Sequence, residues 1–162
     1  MDKRALVEQL IQRLRDVVRS AQRASEDAAH EAREGATPAE RREDARVALE
    51  NSGLARGQQQ RALQAAADLA VLEKFHPGPF PPNAAIGLGA IVEVEDDEGG
   101  RTLFLAPVSA GEELQVPSGD GFLSVITPSS PVGRALLGKH KDDSVEVTVA
   151  GEVRELSVTF VC

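Results

Sequence analysis

Ser130-Pro131-Val132-Gly133-Arg134-Ala135-Leu136-Leu137-Gly138-Lys139 carries its own start and stop signals for a short helix. Ser129 or Ser130 can accept from the open amides of a first turn, and Pro131 sits near the first position, where a missing N–H costs nothing. Gly138 is placed to take the left-handed conformation that ends a helix before Lys139. Asp143-Ser144-Val145-Glu146-Val147 comes next, and there the apolar period drops to two. A capped helix set directly before an alternating strand predicts a helix packed on a sheet.

The same period of two continues outward. Val145-Val147-Val149 and Leu156-Val158-Phe160 read as half-buried strands, with Ala150-Gly151 as a hairpin turn between them, and Ile91, Phe104 and Val125 mark further strands. Gly87-Leu88-Gly89-Ala90 has the look of a nucleotide loop, but it leads into a strand and lacks a third glycine, so it reads better as a strand entry. Glu93, Glu95, Asp96, Asp97 and Glu98 form an acidic run at a strand end, a solvated hairpin loop that could also face a basic partner. Residues 84–162 are therefore expected to form an α+β unit, a small sheet with one short helix.

Upstream, Pro77-Gly78-Pro79-Phe80-Pro81-Pro82-Asn83 breaks any helix and reads as a stiff linker over 77–83. Before it the period changes again. Val7, Leu10, Leu14, Val17, Ala21, Ala24 and Ala28 recur in steps of three and four, a coiled-coil seam whose change from Leu and Val to Ala predicts closer helix approach further out. Gly35 suits a helix stop, and Thr37-Pro38-Ala39-Glu40 fits a capping box with Glu40 reaching back to the Thr37 amide. A helix returns from about Pro38 to Phe75, with Gly53 and Gly57 inside it marking close approach or a kink, each at a cost of about 1 kcal/mol relative to Ala. Residues 1–76 are thus an antiparallel helical hairpin with its tip at about 35–38, some 50 Å long at ~1.5 Å per residue.

Charge narrows the function. The 162 residues carry 18 basic and 26 acidic side chains; residues 1–76 hold 13 of each, which leaves 5 basic and 13 acidic for the rest. An acidic C-terminal unit repels phosphate backbones, so direct DNA or RNA binding is not expected, whereas a basic protein surface would suit it. Five Phe with no Trp or Tyr leave few platforms for stacking bases. Cys162 is the single cysteine, which excludes an intramolecular disulfide or a multi-thiolate metal site within one chain. No apolar h-region follows the N-terminal basic residues and no stretch approaches the ~18 apolar residues of a membrane span, so a cytoplasmic monomer is expected.

The 130–139 stretch, with the acidic turn and alternating valines after it, resembles the C-terminal domain signature of the Gre family of transcription elongation factors, the transcript-cleavage factors of bacterial RNA polymerase. The order hairpin, linker, small β-rich domain resembles that family over nearly the whole chain, and Leu49-Glu50-Asn51-Ser52-Gly53-Leu54 resembles its return-helix pattern. The resemblance implies an FKBP-like C-terminal fold docking at the secondary channel of the polymerase, with the hairpin entering the channel. Pro131, Gly133 and Arg134 are the docking residues it implies.

In cleavage-active members two tip acids help hold a second Mg²⁺ at the polymerase active centre, where carboxylates suit a hard cation and help activate water. Aligned without gaps back from Gly53, those positions fall on Pro38 and Arg41 here, and Arg42 adds a further positive charge. Binding without efficient cleavage is the expectation, any catalysis being the polymerase's own. The alternative is a true cleavage factor using Glu40, Glu43 or Asp44 with Mg²⁺ shared with the polymerase; each has a structural reading too, Glu40 as the capping-box residue and the adjacent Glu43 and Asp44 as a solvated face. A coiled-coil adaptor or FKBP-like interaction module is the third reading. A prolyl isomerase would need an aromatic-lined pocket that five Phe poorly supply. His30, His76 and His140 are dispersed and share no metal-ligand spacing.

Overall fold

In a computed structural model of the chain the described residues are 2–34, 40–81, 83–117, 121–149 and 151–162; at 28–29, 31–34 and 40–55 the description covers the backbone alone. The elements in chain order are α1 (Lys3–Glu34), α2 (Glu40–Leu72), β1 (Ile91–Asp96), β2 (Gly99–Leu105), β3 (Glu113–Gln115), β4 (Phe122–Ile126), α3 (Pro131–Leu136), β5 (Ser144–Val149) and β6 (Glu152–Val161). This is the α+β layout that the two apolar periods imply. Gly35 and Thr37-Pro38, the expected turn of the hairpin, lie outside the described residues.

The chain forms two compact units, whose limits fall inside the helices. Met1–Leu10 and Val71–Cys162 form one, and Ile11–Ala70 the other. Burial gives the reason: Leu6, Val7, Leu10 and Leu72 are at most 5% exposed, so the basal turns of α1 and α2 are core of the unit that holds the sheet.

In the helical unit the seam departs from the expected one. Leu14 and Val18 are half-buried while Val17 is 45% exposed, because a straight helix at 3.6 residues per turn carries the buried stripe a step of four past Leu14. The alanines do not draw the helices together either. Val18, Ala21, Ala24 and Ser25 of α1 face Gln58, Ala62, Leu63 and Ala66 of α2 across a cleft of about 540 Å³. A β-carbon built on Gly57 would meet nothing within 4 Å, so Gly57 is no point of close approach. Nor does α2 reach Phe75. It ends at Leu72, where the Lys74 amide donates to Val71 O (3.2 Å) and the Phe75 amide to Leu72 O (3.0 Å) in a tightened last turn ahead of Pro77.

The sheet has the strand order β3-β4-β2-β1-β6-β5. Its pairs are antiparallel except β2–β4, which run parallel with Phe104 opposite Val125. One face carries Val92, Val94, Leu103, Leu105, Ile126, Val145, Val147, Leu156 and Val158, with Ile86, Ala90 and Leu136 of α3 in the same cluster. Ile91, Phe104 and Val125 share the opposite face by register, each at most 1% exposed. Burying side chains of this size stabilises by about 1.5–3 kcal/mol each.

A bulge corrects one expectation. The spacing puts Phe160 with Leu156 and Val158, but the β1–β6 register shifts between Glu93 and Val94, so Phe160 pairs with Glu93 and turns to the other face, 42% exposed. Val149, at the end of its series, is 42% exposed as well.

Candidate functional site: the α3 corner

Ser130, not Ser129, is the N-cap of α3, and its hydroxyl is used fully. Oγ donates to Thr127 O (2.8 Å) and accepts from the Gly133 amide (3.1 Å) and the Thr127 amide (3.3 Å). Ser129 bonds elsewhere, its Oγ lying 3.1 Å from Thr127 Oγ1. Thr127 is the buried polar residue of the described core, 5% exposed, and these bonds satisfy it.

Gly133 has a sharper role than a helix position demands. A β-carbon built there would lie 1.9 Å from Thr127 O and 2.9 Å from Ser130 Oγ, so only glycine lets α3 settle on the Thr127 turn. The far end of the helix is tied just as closely. The Leu137 amide donates to Gly133 O (2.9 Å), Gly138 turns left-handed at φ 79° and donates to Ile86 O (2.8 Å), and the Ile86 amide donates to Lys139 O (2.7 Å). The Gly87–Ala90 segment is a turn into β1, the strand entry its spacing implies, with Gly89 at φ 87°.

With Leu136 buried at 0%, the outer side of α3 is left to Pro131, Arg134 and Leu137, three residues apart and all exposed. Pro131 and Arg134 thus stand on one short stripe. Gly133 lies beneath it, buried, and contributes through backbone geometry rather than a surface group.

Between α3 and the sheet lies a cavity of about 60 Å³ lined by Val94, Leu103, Val132, Val147, Leu156, Arg101 and others. It holds no aromatic side chain and is far below the ~300 Å³ of an ordinary ligand pocket. The prolyl-isomerase variant of the third reading has no site there.

Two members of the acidic run, Asp96 and Glu98, are paired at the β1–β2 hairpin. Asp96, its side chain 5% exposed, accepts from the Glu98 amide (2.9 Å) and the Gly99 amide (3.1 Å) and pairs with Arg101. Burial pushes the Asp96 carboxyl up, but the two amides and the Arg101 guanidinium outweigh it and hold the group below its ordinary value. Arg154 on β6 bonds Glu98 (2.5 Å) and Glu152 (3.2 Å), and these partners raise its already high pKa.

Glu40 is the first residue of α2, with Glu43 and Asp44 in its opening turns, and their side chains lie outside the described residues. His140 accompanies the α3–β5 turn, where its amide donates to Asp143 Oδ2 (2.8 Å). Among the described residues no three His, Cys, Asp or Glu side chains converge as a metal site would require.

What the spacing did not reveal is the attachment of Gln9. Its Nε2 donates to Gln115 O (2.9 Å) and its Oε1 accepts from the Gln115 amide (3.1 Å), which fixes the second turn of α1 to the outer edge of β3. No pattern in either segment signals this pairing.

Residues 81–161 match the family described as "Transcription elongation factor, GreA/GreB, C-term". Transcription elongation factor GreA of Verminephrobacter eiseniae (strain EF01-2) is 32% identical over 93 residues, which are 57% of this chain and 55% of that protein. The GreA of Ralstonia nicotianae (strain ATCC BAA-1114 / GMI1000) is 30% identical over 115 residues, 71% of this chain and 67% of that protein. The chain thus spans about half the length of the first relative and two thirds of the second. Among solved structures, GreA factor homolog 1 (Gfh1) of Thermus thermophilus aligns over 96% of this chain and 94% of that one, at 22% identity and a TM-score of 0.37.

Proposed function

Because this chain belongs to the GreA/GreB family of transcription elongation factors, we propose that it is an elongation regulator that binds bacterial RNA polymerase at the secondary channel without stimulating efficient transcript cleavage. The observation that carries this reading is the family match over residues 81–161, which contains α3 and its exposed Pro131, Arg134 and Leu137. A side chain held on a well-capped, rigid helix keeps its geometry for a partner. The acidic balance of the C-terminal half favours a protein partner over nucleic acid.

The helical hairpin is directed toward the polymerase active centre in this reading, and the tip sequence decides the outcome there. Pro38 and Arg41 stand where a cleavage-active member carries its two acids, and Arg41 with Arg42 opposes a second divalent cation. Phosphodiester chemistry stays with the polymerase, and any Mg²⁺ is shared with it rather than resident in this chain. No described helix is long and apolar enough to cross a membrane, and in this reading the protein meets the polymerase in the cytoplasm as a monomer.

The test uses halted, backtracked elongation complexes with and without the full chain. Retention on polymerase with little RNA shortening is expected. Failure to bind polymerase overturns the reading, and strong shortening abolished by Glu43→Ala with Asp44→Ala moves the protein to the cleavage-factor alternative.

A further inference from the structure

The two edges of the sheet are treated differently. β3 is three residues long, and the Gln9 amide occupies both the N–H and the C=O of Gln115. β5 is six residues long. The Val158 amide donates to Asp143 O (2.9 Å), and bonded and non-bonded pairs alternate along an antiparallel ladder. It follows from the β5–β6 register that Val145, Val147 and Val149 turn their backbone groups toward β6, while Ser144, Glu146 and Thr148 turn theirs outward. Among the described residues no backbone hydrogen bond outside the ladder engages those three.

Open edges are ordinarily guarded by Lys, Pro, a bulge or brevity, since a row of unpaired donors and acceptors invites another strand. Ser144-Val145-Glu146-Val147-Thr148-Val149 has no Lys and no Pro and is six residues long, and Glu146 is its one charged side chain. Its side chains carry a pattern as well. On the face away from α3, Glu146 lies directly opposite Glu155, a like-charge pair that costs stability in the isolated chain. On the α3 face the strand shows Val145 and Val147, buried, and Val149, 42% exposed.

We propose that the free edge of β5 is a docking site for an extended segment of a partner protein in which basic and apolar residues alternate, added to the sheet as a further strand. Ser144, Glu146 and Thr148 supply the main-chain bonds. A lysine or arginine beside Glu146 neutralises the carboxylate pair, and the alternate residues lie beside Val147 and Val149. A second copy of this chain is the wrong occupant. Pairing two β5 edges would add a further pair of glutamates to the row Glu146–Glu155 in a protein of net charge -8. The inference does not rest on the polymerase reading, since the stripe on α3 takes no part in it.

The full chain, labelled for amide NMR, is titrated with an alternating Lys-Val heptapeptide, an alternating Glu-Val heptapeptide, and a peptide with the Lys-Val composition rearranged into blocks. The Lys-Val peptide alone should shift and slow exchange at the Ser144, Glu146 and Thr148 amides. Glu146→Lys should weaken it by about tenfold, and Thr148→Pro, which removes an outward donor at an edge position that tolerates proline, should abolish it. If Thr148→Pro unfolds, Glu146→Lys carries the test by itself. No binding, equal binding of all three peptides, or indifference to Glu146→Lys overturns the proposal. So does protection of the same amides by raised protein concentration without peptide, which would make the occupant a second copy.

Discussion

Gln9 on α1 and Gln115 on β3 exchange two hydrogen bonds although they are 106 residues apart, the side-chain amide of one matching the backbone amide of the other. The Gln9 side chain thereby extends the edge of the sheet by one peptide-like group. Removing it with Gln9→Ala should cost about 1 kcal/mol, the low end for two hydrogen bonds, because water reaches the vacated groups of Gln115. Urea unfolding together with amide exchange at Gln115 checks this. An unchanged midpoint with Gln115 still protected would refute the pairing.

Gly133→Ala should be the most damaging small substitution in the sheet unit. The added carbon would meet the backbone oxygen of Thr127 at 1.9 Å, and a backbone carbonyl cannot swing aside as the end of a flexible side chain can. A loss of about 3 kcal/mol or more is expected, against about 1 kcal/mol for Gly138→Ala, whose cost is the left-handed φ of 79° alone. Thermal unfolding followed by circular dichroism orders the two.

Asp96 makes stability sensitive to acid. Its folded carboxyl titrates below the ordinary value of 3.8, so the unfolded chain binds the proton first as pH falls. The contribution is complete above the ordinary value and disappears as pH drops through the folded one. Asp96→Asn should therefore flatten the acid limb of the stability curve below about pH 4. Parallel limbs for wild type and variant would exclude Asp96 as its source.

Arg134→Ala separates docking from folding. The side chain is exposed, so the unfolding free energy should change by no more than about 0.5 kcal/mol, while retention on RNA polymerase falls. Full retention by a folded Arg134→Ala protein would remove this residue from the docking surface.

Much of this was legible in the residues. The start of α3, its proline, its glycine stop and the turn before β6 are local signals, each settled by groups within about four positions of one another. The 130–139 signature carries the resemblance to the family, and the two apolar periods mark the helical and the strand-rich parts of the chain. Val17 leaves the expected seam for solvent and Val18 takes its place, because a 3.5-residue repeat and a 3.6-residue helix diverge only gradually. The candidate tip carboxylates Glu40, Glu43 and Asp44 fall in the first turns of α2, and their side chains lie outside the described residues.

The sequence by itself determined a well-capped helix ahead of a strand at Pro131–Arg134, long helices before a strand-rich half, and the resemblance to the family, whereas β3 carried no signal of its own. The tertiary structure alone decided which surfaces those elements present. The β1–β6 bulge sends Phe160 to the face of Glu93, and Thr127 O explains why position 133 must be glycine. Gln9 closes one edge of the sheet and leaves the other, β5, open. The physical reason is range. Caps and apolar periods act between neighbours along the chain, whereas register, close approach and edge exposure depend on partners that only the folded chain brings together.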